Sequence, residues 1–399
     1  MTAKLRRPLC RALALASLFS VGCAVGTASA QQPMADVLTF LLTNRSVPTG
    51  DFDRDERAAT ESRDVFIDFL ALEQSTTPLP STSGGFTYRF DARNGVWERS
   101  SASFGPYFTD RALTVGRGHG SVRLGFNSAA YTSIDGRDLR DGTLVSTAST
   151  LRGQSEPFDV ETITLRLRSS ALTLSGNYGV TDRLDISGSV PMVRVTLSGD
   201  RVDTYRGTTL VQATAKASAE GLGDIVARGK YNLYRSGASG LAVATEVRLP
   251  TGDTANLLGA GRTTVTPQLI GAYEGSRLGL HGQIGYSLRN VSRAVGYSVA
   301  VTAVATPVLT VVGELLGLRL DGIGRLVEST EPHPRLVGVD TIRLRGVEQS
   351  TTQLMAVAGL KWNIASTGIL TASVRRPLSS AGLNPAWVPT VTFDFGFPR

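Results

Sequence analysis

The side chains able to do chemistry are spread along this chain in a way that suits a lined interior better than a catalytic centre. Its three histidines, His119, His281 and His333, fall in separate segments with no spacing that would bring two imidazoles onto one metal. Gly223 to Lys230 has the outline of a phosphate loop. Its spacing to Gly229 is one residue too long, however, and Tyr231 stands where Ser or Thr would hold magnesium. Gly221-x-Gly223 and Gly259-x-Gly261 read as loop glycines. A hydrolase would need Ser, His and an orienting polar group on neighbouring strands. His281 with Gln283, and Ser298 on the following strand, come nearest to it, and no nucleophile motif accompanies them. No catalytic residue, metal or cofactor is assigned on this reading.

A second set of residues is more coherent. Alternation along the strands points Arg166, Arg168, Arg194, Arg228, Lys230, Glu246, Arg248, His281, Glu314, Lys361 and Asp394 to the side opposite the apolar residues, as lumen-lining candidates. Cations outnumber anions among them. In a pore they would raise the local anion concentration and favour anionic solutes. The same charges could instead pair across strands and fill the interior, and a barrel of about twelve strands is compatible with either state.

The elements that must position these residues follow a period of two. Leu278, Leu280, Gly282, Ile284, Tyr286 and Leu288 share one face, and Gly279, His281, Gln283, Gly285 and Ser287 the other. The same alternation runs through Ile225–Leu233, Leu241–Leu249 and Leu354–Ile364. Segments of roughly ten residues or more suffice to cross a bilayer at a tilt. About twelve are expected, starting near Ser121, Glu161, Leu184, Asp224, Leu241, Thr264, Leu278, Ala294, Val308, Thr352, Gly368 and Val388. Tight turns such as Thr181-Asp182-Arg183 and Ser236-Gly237-Ala238 alternate with long links, among them Asp135–Asp159, Gly199–Gly223 and Asp321–Ser350. Short turns on the periplasmic side and long loops outside produce that rhythm. A soluble β-sandwich would also alternate, but with shorter strands and without Tyr178, Tyr231, Tyr273 and Trp362 at outward strand ends. Apolar parity switches after Ser169-Ser170 and again after Pro191, which predicts a β-bulge in each of those two strands.

The chain ends point to export. Lys4, Arg6, Arg7 and Arg11 precede an apolar run from Ala12 to Val25 and the small residues Ala28-Ser29-Ala30, a signal peptide cleaved near Ala30. Lipidation at Cys23 is the rival processing event. Removing the leader's four basic residues leaves 37 Lys+Arg against 34 Asp+Glu, a net charge near +3. Nucleic acid is therefore not an expected partner. Cys10 and Cys23 both leave with the leader, excluding thiolate chemistry afterwards. Val391-Thr392-Phe393-Asp394-Phe395-Gly396-Phe397 makes an aromatic-ended closing strand, a handle for the barrel-insertion machinery. Between leader and barrel, residues 31–117 read as two short helices, Asp36–Leu42 and Asp55–Leu72. A hairpin follows about Asn94-Gly95. A plug, a periplasmic attachment and a lid are all open for it.

Three blocks carry a family likeness: Tyr178-Gly179-Val180-Thr181-Asp182-Arg183-Leu184-Asp185, then Gly221-Leu222-Gly223-Asp224 leading to Lys230-Tyr231, then Leu249-Pro250-Thr251-Gly252-Asp253. In order and spacing this stretch, from about Leu172 to Gly282, resembles the outer-membrane transporters grouped with the meta-pathway of phenol degradation. The resemblance implies a barrel concerned with uptake of hydrophobic or aromatic compounds. The expected protein is all-β: a signal peptide (1–30), an N-terminal α/β segment (31–117) and an antiparallel transmembrane barrel (118–399). It would sit as a monomer in outer-membrane lipid, passing small solutes passively. The alternative is a closed barrel acting through its outer loops, with a barrel hydrolase third.

Overall fold

Strands with one apolar and one polar face find a stable place in a closed sheet whose outside meets lipid, and the chain takes that arrangement. The structure, a computed structural model, describes residues 32–43, 52–76, 85, 87–91, 96–288, 293–365 and 367–397. The leader, both cysteines, Phe86 and the Asn94-Gly95 turn lie outside the described residues. In chain order the elements are α1 (Met34–Leu42), α2 (Phe52–Thr76), β1 (Tyr88–Asp91), β2 (Val96–Arg99), β3 (Gly120–Ile134), β4 (Arg137–Asp138), β5 (Leu144–Leu151), β6 (Asp159–Gly179), β7 (Leu184–Tyr205), β8 (Thr208–Leu222) and β9 (Val226–Ser236). There follow β10 (Ser239–Arg248), β11 (Thr264–Glu274), β12 (Leu278–Ser287), β13 (Arg293–Thr306), β14 (Leu309–Pro332), β15 (Val339–Ala365), β16 (Gly368–Pro377), β17 (Leu383–Pro385) and β18 (Val388–Phe397).

Among the described residues, twelve strands close an antiparallel barrel. The order is β3, β6, β7, β9 and then β10 through β16, with β18 returning to β3. The seam pairs Thr390 with Asn127 and ends with Phe397 opposite Gly120, and Arg123 and Asp394 form an ion pair inside it. Eleven expected starts fall within two residues of the observed ones, and Thr352 lies inside β15. Leu124, Leu174, Leu233, Leu280, Val299, Leu315, Leu360 and Phe393 stand exposed on the outer face. Tyr178, Tyr231, Tyr273 and Trp362 border that belt toward the rim of short turns. Such rings sit where hydrocarbon gives way to headgroups.

The opposite rim departs from the sequence reading. Links 199–223 and 321–350 are mostly strand rather than loop: β7 runs on to Tyr205 and returns as β8, and β14 and β15 reach Pro332 and Val339. No bulge interrupts β6 against β7, which pair without a register shift from Asp159–Tyr205 to Gly179–Asp185. What changes is the surroundings. Leu172, Leu174, Ile186 and Met192 face outward in the belt, whereas Ile163, Leu165, Leu167, Val193, Val195 and Leu197 face inward above it, in one buried cluster with α1 and α2. Beyond the lipid, water lies outside and helices lie inside, so the apolar parity inverts while the strand runs straight.

That inversion corrects three of the lumen candidates. Arg166, Arg168 and Arg194 point out into water, not into the lumen. Arg166 lies 3.6 Å from Asp200 and Arg194 3.9 Å from Glu220, with the arginine side chains 60% and 62% exposed. Helix α2 packs inside the tall wall, where Asp55 meets Arg343 at 2.7 Å and Glu61 meets Arg345 at 2.9 Å.

The belt makes a measurable claim. Leu280→Arg should destabilise the refolded barrel by about 2–4 kcal/mol in vesicle-based chemical unfolding. Arg194→Ala should change it by less than about 1 kcal/mol. Equal losses would mean that the lipid boundary is drawn in the wrong place.

Candidate functional site: a segment clamped across the lumen

Backbone that enters a barrel without joining its sheet must find partners for every amide and carbonyl. Residues 101–117 are in this position, and the inward side chains supply the partners. Glu314 on β14 accepts the backbone N–H groups of Tyr107, Phe108 (3.2 Å) and Thr109 (2.8 Å). Lys361 on β15 donates to the carbonyls of Phe104 (3.2 Å) and Pro106 (2.6 Å). On the far wall Lys230 donates to the carbonyls of Arg111 (3.2 Å) and Leu113 (2.9 Å), and Asn232 to that of Ala112 (2.8 Å). The amide of Val115 donates to Asp185 at 3.1 Å. The segment therefore spans the lumen from β14–β16 to β7–β9.

Its side chains add charge pairs. Asp110, fully buried, lies 3.0 Å from Arg228 and 3.8 Å from Lys230, and its amide donates to Gln283 at 2.8 Å. Arg111, also fully buried, meets Glu274 at 3.0 Å and donates to Ser101 and Ser103. Gly105 takes φ +70°, and a Cβ there would strike the Arg111 guanidinium, so both the turn and the ion pair require glycine. Gly359 leaves room for Tyr107, whose hydroxyl donates to the carbonyl of Ala372 at 3.1 Å.

Arg228, Lys230, Glu246, Arg248, His281, Glu314, Lys361 and Asp394 all point inward, and the structure brings Arg228, Lys230, Glu314 and Lys361 together on the segment. Glu246 and Arg248, 3.6 Å from each other, line a cavity together with Phe108 of the segment. His281 and Ser298 have different partners. His281 Nε2 lies 3.4 Å from Thr302 Oγ1, and Ser298 Oγ 3.0 Å from Thr109 Oγ1. Among the described residues no group of three or more His, Cys, Asp or Glu could hold a metal ion.

Toward the tall rim the segment leaves a cavity of about 160 Å³, with Phe108 in its floor and Glu73 of α2 at its border. One wall is polar, with Arg228, Arg248, Gln268 and Gln283; another is apolar, with Leu316, Leu318 and Met355. Sequence reasoning missed Asp110, Arg111, Asp185, Asn232 and Glu274. For Asp185 and Asn232 the parity of β7 and β9 held the signal. Asp110 and Arg111 sit in a stretch with no period and gave none.

Residues 153–306 match a family model described as "Putative MetA-pathway of phenol degradation". The described residues form a closed antiparallel β-barrel of the transmembrane kind, with an apolar outer belt. No curated protein matches the sequence. Among solved structures it is similar to an outer-membrane channel from Pseudomonas putida F1, at 12% identity over 72% of this chain and 98% of that one, TM-score 0.48. It is also similar to the NanC porin (7% identity, 70% and 100% covered, TM-score 0.35). A third is the CymD monoaromatic hydrocarbon channel (8% identity, 71% and 90% covered, TM-score 0.27).

If Glu314 is the main clamp, Glu314→Ala leaves three buried amides unpaired, at a cost of about 1–3 kcal/mol or more. Hydrogen exchange at Tyr107–Thr109 should then quicken about tenfold or more, with β14 itself little changed. Unchanged exchange at those amides would show that other contacts hold the segment.

Proposed function

We propose that this barrel is a passive outer-membrane channel for small solutes, gated by residues 101–117. The observation that carries the reading is how the segment is held. It is not a strand of the sheet; it hangs on side chains from opposite walls, and water or a solute can replace such contacts one at a time. The cavity above it supports the reading, being lined by charged and amide side chains with an apolar patch. The family description points to organic solutes of the kind handled in phenol breakdown. The rim of tight turns then faces the periplasm and the tall hairpins face outward. The closing strand to Phe397 serves as the insertion signal, and one chain makes a complete barrel without a cofactor.

Single-channel recording of the refolded protein in a planar bilayer with a salt gradient tests this. Brief steps are expected from the unaltered protein. The double variant Asp110→Ala with Glu314→Ala removes two clamps and should raise the open fraction several-fold. Silence from both, in protein that migrates as a folded barrel, would favour a closed barrel working through its outer hairpins.

A further inference from the structure

The segment's Asp110 is fully buried and does not itself line the cavity, but its partner Arg228 does. Its carboxylate reaches Nη2 of Arg228 at 3.0 Å, and Gln268 accepts from that same nitrogen at 2.5 Å. Arg228 lines the cavity and is only 8% exposed, yet its Nε has no hydrogen-bond partner among the described residues. A guanidinium presents its donors as a planar fork that a carboxylate fills two at a time. Leaving one donor of a buried fork unused is costly unless something else occupies it. The rest of the cavity is two-sided: Gln268 contacts Arg228 and Gln283 lines the same polar wall, where the carboxylates Glu246 and Glu73 already pair with Arg248 (3.6 Å) and Arg375 (3.3 Å), while Leu316, Leu318 and Met355 form the apolar wall.

We propose that this cavity binds a small organic carboxylate with an apolar body, and that its carboxylate displaces Asp110 from Arg228. The body lies on the apolar wall and the charge sits in the guanidinium fork. Asp110 is then a built-in competitor that keeps the segment seated until an anionic solute arrives. Losing Arg228 as a partner frees the middle of the segment, between its clamps at Glu314 and Lys230. Solute binding and release of the segment are therefore linked, each favouring the other. The inference rests on the channel reading for its purpose, but the binding site can be tested without any conductance.

Isothermal calorimetry on the refolded full-length barrel, with a detergent blank, would compare hexanoate, acetate and hexanamide. Hexanoate should bind. Hexanamide, lacking the charge, and acetate, lacking the body, should each bind at least about tenfold more weakly. Asp110→Asn removes the competitor's charge and should tighten hexanoate about tenfold, while Arg228→Gln abolishes binding. Leu318→Gln should weaken hexanoate and leave acetate unchanged, separating loss of the apolar wall from loss of fold. Hexanamide binding as well as hexanoate, or Asp110→Asn binding no tighter than the parent, overturns the proposal. Conduction that persists while hexanoate fails to bind overturns the site and leaves the channel standing. Binding as described in a barrel that never conducts supports the site and removes the channel reading.

Discussion

An extended backbone inside a lipid-enclosed barrel cannot leave its amides and carbonyls bare, and the interior of this protein is organised around that constraint. Glu314 gathers three successive amides, while Lys361, Lys230 and Asn232 take up carbonyls on either side of them. Glu314, Lys361 and Lys230 are long enough to reach from a wall to the segment, and Asn232 is a shorter, neutral amide. Burying them is costly in an apolar surround. Here each faces backbone dipoles or an opposite charge, so segment and lining satisfy one another. Neither makes sense alone: the lining without the segment would bury Glu314, Lys230 and Lys361 short of partners, and the segment without the lining would be unpaired chain.

The same accounting explains the two heights of the barrel. In the lipid belt only apolar residues can face outward, and the polar ones turn inward to the segment. Above the belt water meets the outer face, and α1 and α2 cover the inner one, so leucines and valines turn inward and arginines turn outward. Helix α2 is tied down by acidic residues on the basic inner face of β15 and β16, through Asp55, Glu61 and Glu73. Glu73 also borders the cavity, so the docking of the helix and the walls of the candidate site share a residue.

Much of the barrel was legible because lipid imposes a strict period of two. That period located the strands, the tight turns and the inward set from Arg228 to Asp394. It misled where the solvent changed sides. Assuming that apolar means outward placed Arg166, Arg168 and Arg194 in the lumen and invoked bulges that β6 and β7 do not have. The tall hairpins were read as loops for the same reason, since their alternation is set by water and helices rather than by lipid. For residues 101–117 the sequence left a plug open as one reading of the stretch 31–117 but gave none of their contacts. Their structure is fixed by distant side chains, and nothing in the order Phe104-Gly105-Pro106-Tyr107 announces that Glu314, roughly two hundred residues on, will hold them.

The central claim is that the path through the barrel is controlled by the clamped segment. Thr109 and Ser298 bring their hydroxyl oxygens within 3.0 Å, one on the segment and one on the wall. Replacing both with cysteine would allow a reversible covalent lock between them, and the two natural cysteines, Cys10 and Cys23, belong to the expected leader. The measurement is single-channel conductance of this variant before and after reduction. The account predicts silence when the disulfide is closed and restored steps once it is reduced. Steps of the same size and frequency in both states would show that solutes do not pass where the segment lies, and would contradict the account.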